Sequence, residues 1–457
     1  MKVHAIILAA GQGTRMKSAL PKVLHRVGGT PMLGHVLAAA RAAEVSACHV
    51  VLGHGAVQVQ EWLQGVAGES VDMVLQEQQL GTAHAVQQAL PLVQDNALVL
   101  ILYGDVPLVS ADTIRKLAAA AKDGMAVVTA EVPDPSGYGR MVRDAKGRLT
   151  GIVEEKDATP QQRAITEINT GLMAAQARRL KRWLSHVKNN NAKGEYYLTD
   201  VVALAVKDGI EVQSVAAAGI GEVEGINDRA QLARAERRLQ QAQVEQLLRD
   251  GLHLADPARF DLRGELRFGR DVFVDVGCVL EGKVELGDNV SIGPYCVLRD
   301  VKLEAGTRVD AHSVLDSAEV GRDCRIGPFA RLRPGAQLAD QVHIGNFVEI
   351  KKSTLGEGTK ANHLAYVGDA TVGARVNIGA GVITCNYDGV NKHATIIGDD
   401  AFIGTDSQLV APLIVGRGAY IAAGSTIAKD APEDALTVCR AREQKSFPGW
   451  KKPAKKR

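Results

Sequence analysis

Residues 262–298 read LRGELRFGRDVFVDVGCVLEGKVELGDNVSIGPYCVL, and in them Leu262, Phe268, Val274, Leu280, Leu286, Ile292 and Leu298 recur at every sixth position. The column continues through Leu303, Val309, Leu315, Val320, Ile326, Leu332, Leu338, Ile344 and Ile350 with occasional five-residue steps. A period of six fits neither the 3.6 residues of a helical turn nor the two of a strand. It marks a repeat. Four residues after most of these aliphatics stands something small or β-branched, as in Val272, Cys278, Val284, Val290, Cys296, Thr307, Ser313, Ala330, Ala336, Val342 and Val348. That position lies two before the next aliphatic, so both side chains point to one face of an extended segment. Each hexad is therefore a short strand followed by a corner, and the glycines at 269, 287, 293, 321, 327, 345 and 404 sit where a corner needs positive φ or close backbone approach. Three strands per coil, about 18 residues, close a triangular parallel β-helix. A β-sandwich has less regular strand spacing, about 8 to 12 residues.

Handedness does not follow from the period, because crossovers between parallel strands are nearly always right-handed. A left-handed coil is implied instead by the resemblance of these hexads to the hexapeptide-repeat acyltransferases, which are typically homotrimers.

A chain of 457 residues exceeds one core, and a prior of about 150 residues per domain gives two or three. Its 54 basic and 52 acidic residues leave a net charge of +2, which gives no support to a nucleic-acid surface. The clear charge run is the tail, Lys451, Lys452, Lys455, Lys456 and Arg457, read as a solvated terminus. No apolar run approaches the ~18 residues of a membrane helix, and the apolar stretch 5–10 is shorter than a signal core of about 7 to 15. The six cysteines form no C-x-x-C pair, so neither zinc nor a disulfide framework is signalled. Cys278 and Cys296, stacked neighbours by period, and Cys324 are read as buried packing residues in a reducing cytoplasm.

From residue 3 to about 215, strand-like runs alternate with helical patterns, which argues a doubly wound, mostly parallel α/β sheet with ligands at the carboxyl ends of its strands. At the end of the first run stand Leu8, Ala9, Ala10, Gly11, Gln12, Gly13, Thr14, Arg15 and Met16, then Pro21 and Lys22. Glycines let backbone amides approach phosphate oxygens, and Arg15 and Lys22 add positive charge. The loop is neither a Walker loop nor a dinucleotide fingerprint. The whole string L-A-A-G-x-G-T-R-M with the following P-K resembles the signature of sugar-nucleotide pyrophosphorylases. The run 98–102 ends in Tyr103, Gly104 and Asp105, and a carboxylate there, beside a phosphate loop, is placed to hold Mg²⁺.

Gln76, Gly81, Thr82, the turn 137–140, Glu154, the string 167–171 and E-V-E-G-I-N-D at 222–228 follow in an order that resembles the bifunctional N-acetylglucosamine-1-phosphate uridylyltransferase/glucosamine-1-phosphate N-acetyltransferase family. Beyond them, 228–250 reads as a charged helix with Leu232, Leu239, Leu247 and Leu248 at helical spacing, stopped by Gly251. The repeat is interrupted at 358–366, which contains His363, and again between Thr384 and Ile396. Insertions in a solenoid project as loops and carry function. Arg333 and Lys351 fall one coil apart and could converge on a phosphate.

The resemblance covers the chain from residue 3 to about 450 and implies three parts: a uridylyltransferase domain at 1–227, a linker helix at 228–250, and an acetyltransferase domain at 251–457. It implies a cytoplasmic homotrimer that acetylates glucosamine 1-phosphate with acetyl-CoA and joins N-acetylglucosamine 1-phosphate to UTP, with no nucleic-acid or membrane partner. In the first domain it assigns Mg²⁺ to Asp105 and Asn227, and nucleotide-sugar contacts to Leu8, Ala9, Ala10, Gly11, Arg15, Lys22, Gln76, Gly81, Thr82, Tyr103 and Gly104. Gly139, Glu154 and Asn169 are assigned to the sugar. In the second it makes His363 the general base, with Glu349 to orient and polarise it. Arg333, Lys351, Tyr366 and Asn377 hold the sugar phosphate, while Ala380, Asn386, Tyr387, Thr405, Ala423 and Arg440 border acetyl-CoA. Where the family commonly has Ser this chain has Thr405, which keeps the hydroxyl. The competing enzyme class is a glucose-1-phosphate nucleotidyltransferase with a merely structural β-helix, and the competing non-enzyme is an assembly subunit that has kept the fold without activity.

Overall fold

The computed structural model describes residues 1–66, 71–440, 446 and 448. The basic run 451–457 lies outside the described residues. The chain divides into two compact units, Met1–Leu239 and Gln240–Arg457, the division falling within the helix Arg229–Arg249.

The first unit is built on one sheet whose spatial order is Val212–Ala216, Met125–Glu131, Glu167–Gln176, Leu98–Tyr103, Val3–Ala9, Ala47–Leu52 and Val71–Leu75. All these neighbours are parallel except Glu167–Gln176, which is antiparallel to both of its own and adds the hairpin Gly139–Arg143 and Leu149–Val153 at its outer end. Apart from His4, Val3–Ala9 is apolar because both faces are covered. Ala5, Ile7 and Ala9 join one buried cluster with Leu33, Val36 and Leu117, while Ile6 and Leu8 join another with Val86 and Leu180. Each fully buried aliphatic contributes roughly 1.5–3 kcal/mol, which ties the strand ends, and hence the loops on them, to a rigid base.

In the second unit, coil after coil adds one rung to parallel sheets, as where Val274 pairs with Ile292, Ile292 with Val309 and Val309 with Ile326. The period-six aliphatics point inward and are buried from Val274 to Ile350, and the second column of small residues is buried beside them. Two hydroxyls in that column are satisfied across the coils: Thr307 Oγ1 donates to Gly321 O at 2.7 Å and Thr359 Oγ1 to Gly373 O at 2.7 Å. Cys278, Cys296 and Cys324 fill the same small slots as free, buried thiols, and burial pushes them up to about 11, about 12 and about 11. At Gly287 a methyl group would stand 2.6 Å from Ala305 N on the next coil, so the corner admits no side chain there. No helix among the described residues is long and apolar enough to cross a membrane.

Of the two expected interruptions, one is not an insertion. Residues 358–366 form an ordinary coil in which Lys360–His363 pairs with His343–Asn346 on one side and Asn377–Ile378 on the other. Ala361, fully buried, takes the slot between Ile344 and Ile378. The step of six persists, but an alanine hides it from a search for large aliphatics. The second interruption is real: Arg375 pairs with Asp400, 25 residues on, whereas Asn346 and His363 on adjacent coils are 17 apart. The extra residues form the loop 386–393, pinched by a bridge between Tyr387 and Lys392.

Candidate active sites

In the first unit the strands Val3–Ala9 and Leu98–Tyr103 run parallel and end side by side, which sets the glycine loop against Asp105. Two adjoining cavities of about 270 Å³ each open there and share Tyr103 and Asp105. Leu8, Ala9, Ala10, Gly11, Lys22, Gln76, Gly81 and Thr82 line the first, with Arg15 and Asn227 in the second. Gly104 stands behind them, where a methyl would crowd Val23 at 3.2 Å and Leu33 at 3.3 Å. Gly139 pairs with Asn169 in the sheet, and Glu154 Oε1 lies 3.6 Å from where a methyl on Gly139 would stand. The three residues expected at the sugar are thus brought together. Burial raises the Glu154 carboxyl, against a 3.1 Å hydrogen bond donated by Thr199 Oγ1. Burial also drives the Tyr103 hydroxyl far above its ordinary range, so it serves as a neutral hydrogen-bonding group.

Asp105 and Asn227 come from distant parts of the chain and meet at one cation. Lys22 Nζ donates to Asp105 Oδ2 and, at 2.7 Å, to Asn227 Oδ1. Lys22 therefore rests on the two residues expected to bind metal, in addition to lining the phosphate side of the cleft. The ammonium stands in for a cation at this point, and a carboxylate and an amide oxygen are the hard donors that Mg²⁺ takes from a protein when phosphates and water supply the rest. The residues present fit that ion. Among the described residues no group of three or more His, Cys, Asp or Glu could hold a metal, so a cage built wholly from such side chains is not what this cleft offers. Gln231 was not legible as part of it: its Oε1 accepts from Asn227 N at 2.7 Å and fixes that residue. Gln79, which donates to Ala10 O at 2.9 Å, also joins the cleft only through folding.

In the second unit Asn346, His363, Ala380, Thr405 and Ala423 stand at one corner of successive coils. Asn346 pairs with His363 in the sheet, Gly381 N donates to Leu364 O, Asp406 N to Ala380 O and Gly424 N to Thr405 O. Arg440 extends the column, its Cδ 3.6 Å from where a methyl on Gly424 would stand. The proposed base and four of the expected acetyl-CoA contacts thus share one edge. His363 is exposed, and its Nδ1 is 2.8 Å from Asn346 Oδ1. Glu349, expected to orient His363, is instead paired with Arg333 at 2.8 Å and Arg331 at 3.6 Å. The reason is register: Glu349 belongs to the next strand, Glu349–Lys351, one rung from Arg331, and two strong cations neighbour it.

At the far end of that strand a second polar group gathers. Lys351 Nζ lies 3.3 Å and Lys352 Nζ 3.9 Å from the Asp369 carboxylate, and Asn386, from the inserted loop, donates to the same carboxylate and at 3.4 Å to Tyr366 Oη. Burial opposes ionisation of Asp369, but the Asn386 amide and the Lys351 ammonium hold its carboxyl below the usual range. Lys392, also from the loop, is pushed below the ordinary lysine range, first by the Lys351 ammonium beside it. Like charges held this close are relieved by an anion, so Lys392 is a phosphate-binding candidate that hexad counting could not find. Asn377 faces outward on a different sheet, in the rung after Lys360, and Tyr387 is exposed, its hydroxyl donating to Gly389 O at 2.6 Å. Neither joins the lysine cluster among the described residues.

Residues 5–167 match the MobA-like NTP transferase domain, and 267–300 and 394–429 the bacterial transferase hexapeptide repeats. The chain is similar to proteins titled "Bifunctional protein GlmU". That of Alkalilimnicola ehrlichii is 58% identical over 451 residues, covering 99% of this chain and 96% of the relative. That of Chromobacterium violaceum is 57% identical over 453 residues, covering 99% and 98%. That of Aromatoleum aromaticum is 55% identical over 456 residues, covering 100% and 99%.

Proposed function

Because this chain belongs to the family of bifunctional GlmU proteins, we propose that each of its two units houses one reaction of UDP-N-acetylglucosamine synthesis. The protein is an acetyltransferase and a uridylyltransferase. The parts are a uridylyltransferase domain at 1–227, a linker helix at 228–250 and an acetyltransferase domain at 251–457.

In the first domain a phosphate oxygen of N-acetylglucosamine 1-phosphate attacks the α-phosphorus of UTP and pyrophosphate leaves. Alignment and charge stabilisation supply most of the acceleration in such transfers. Mg²⁺ held by Asp105 and Asn227 would neutralise phosphate oxygens. Lys22 moves its charge from those two residues to the phosphates, and Arg15 flanks the leaving group. Gln76 and Gly81 face the uracil, while Gly139, Glu154 and Asn169 face the sugar. The observation that carries this reading is the convergence of Asp105 and Asn227 on one cation.

In the second domain His363 removes a proton from the amine of glucosamine 1-phosphate as the nitrogen attacks the thioester of acetyl-CoA. Asn346 orients the ring, and Glu349 acts through Arg333. Lys351 and Lys392 grip the phosphate with Arg333 and Tyr366. Acetyl-CoA runs along the corner marked by Ala380, Thr405, Ala423 and Arg440, bordered by Asn386 and Tyr387. The strand Tyr366–Gly368 separates the His363 corner from the lysine cluster by roughly 10 Å at 3.3 Å per residue, and a neighbouring solenoid in a homotrimer closes that groove.

Product analysis with glucosamine 1-phosphate, acetyl-CoA, UTP and Mg²⁺, omitting one component at a time, tests the reading. Without acetyl-CoA no N-acetylated sugar should form, and without UTP or Mg²⁺ the reaction should stop at N-acetylglucosamine 1-phosphate.

A further inference from the structure

Gln76 is 4% exposed and lines the first cavity. Its side-chain amide is committed on one side: Nε2 donates to Gly81 O at 3.2 Å and to His84 Nδ1 at 3.0 Å. Those two bonds use both hydrogens of the amide nitrogen. Oε1 has no partner among the described residues and does not belong to the buried, unsatisfied polar atoms. Whatever Gln76 offers a ligand in the cavity is therefore an acceptor.

His84 does not line the cavity. It sits in the first turn of the helix Thr82–Ala89, behind Gln76, and takes no part in the chemistry described above. A neutral imidazole has one lone pair, so a ring accepting at Nδ1 carries its hydrogen on Nε2. The Gln88 amide nitrogen, one helical turn on, lies 3.1 Å from Nε2 and donates to His84 O at 3.1 Å. Turning the amide so that its oxygen receives the ring hydrogen gives up the bond to His84 O, a loss that water makes good at half-buried Gln88 but not at Gln76, which is 4% exposed.

We propose that His84 is a positioning residue for base selection: by accepting from Gln76 it fixes the amide with Oε1 toward the nucleobase. This rests on the reading that Gln76 faces uracil. Uracil presents an N3–H donor, which complements Oε1. Cytosine presents a bare N3 at the same place, and its lone pair meets the Gln76 oxygen without a hydrogen between them. Turning the amide over would suit cytosine, but it would set Oε1 against both Gly81 O and the Nδ1 lone pair. His84 thus makes the amide an acceptor where only Gly81 O would otherwise hold it.

The test is kcat/KM for UTP and for CTP with the full-length protein, comparing His84→Leu, His84→Phe and His84→Asn with the parent. Leu and Phe cannot accept from Gln76, and the UTP-to-CTP ratio should fall about tenfold or more in both. Asn places Oδ1 near the lost Nδ1 and should keep most of the ratio. The KM for N-acetylglucosamine 1-phosphate and the acetyl-transfer rate should not change in any of the three. A ratio that stays within about twofold of the parent in His84→Leu and His84→Phe, while Gln76→Leu lowers it, would overturn the proposal. A ratio that Gln76→Leu leaves intact would overturn the uracil reading beneath it. If only one of the acceptor-free variants folds, that one decides the matter.

Discussion

Asn346 Oδ1 accepts from His363 Nδ1 at 2.8 Å, across adjacent coils whose strands hold the two residues in register. The Asn346 oxygen has no hydrogen to give, so the ring carries its proton on Nδ1 and presents a bare Nε2. A base with its lone pair outward is what abstraction of an ammonium or amine proton requires. The tautomer is thus set by a residue one rung away, not by the nearest carboxylate.

Asn346→Ala removes that control while leaving Nε2 and the phosphate cluster untouched. Acetyl transfer, followed by release of the CoA thiol, should lose about tenfold to a hundredfold in kcat with little change in KM. Uridylyl transfer should be unaffected. An unchanged kcat would show that the contact does not orient the base.

Asp105→Ala should abolish uridylyl transfer and spare acetyl transfer, since it removes the one carboxylate on which Lys22 rests. His363→Ala should do the reverse. Asn227→Ala leaves Asp105 in place and should instead raise the Mg²⁺ concentration needed for half-maximal rate by about tenfold. Separate assays on the same preparations check all three, and loss of both activities in either of the first two would sink the assignment of independent sites.

Lys392→Ala tests the cation cluster. Lys392 lies against Lys351, and relief of that repulsion by a phosphate favours binding in ground and transition state alike. KM for glucosamine 1-phosphate should rise about tenfold with kcat nearly constant. An unchanged KM would remove Lys392 from the site.

What the sequence disclosed and what it concealed divide along physical lines. Period-six aliphatics such as Val274 and Ile292 report their own burial, because each must fill the same slot on the next coil. The glycine loop and Asp105 are legible because strand ends in a parallel sheet collect ligands. Partners that meet across coils or loops leave no periodic trace: Asn346 on His363, Gln231 behind Asn227, His84 behind Gln76 and Lys392 beside Lys351 all depend on register or on an inserted loop. The first supposed interruption shows the opposite failure. Counting only large aliphatics makes a small side chain at 361 look like an inserted loop.

Glu167 offers a pH test in the first unit. Hydrogen bonds from Arg143, at 2.6 and 2.7 Å, hold its carboxyl below the usual range, against a smaller opposing effect of burial. The folded state therefore binds this proton less readily than the unfolded chain. The stability it adds is complete above the unfolded value of about 4.3 and is lost as pH falls through the lower folded value. Glu167→Gln should be less stable than the parent at pH 7, and urea midpoints read from tryptophan fluorescence should converge as pH falls below the lowered folded value. A gap that persists at that pH would assign the loss to packing, not to charge.

Ala361 carries the last prediction, which asks what fills the slot that larger residues fill on neighbouring coils. It is fully buried between Ile344 and Ile378, and Thr359 beside it is equally buried with its hydroxyl bonded to Gly373 O. If the coil had kept its full width with room to spare, three missing side-chain carbons would leave a void, and Ala361→Leu would stabilise the protein. Lys360–His363 pairs in register with the rungs on both sides, which fixes its backbone, and solenoid interiors are packed to crystal-like density, so three added carbons have no slot to enter. Ala361→Leu should then overpack and cost about 1–3 kcal/mol in urea unfolding of the second unit. Because His363 lies two residues on in the same strand, the displaced backbone should also lower acetyl transfer while uridylyl transfer stays at the parental rate. A gain in stability with full acetyl transfer would mean that the solenoid keeps an empty slot beside its base.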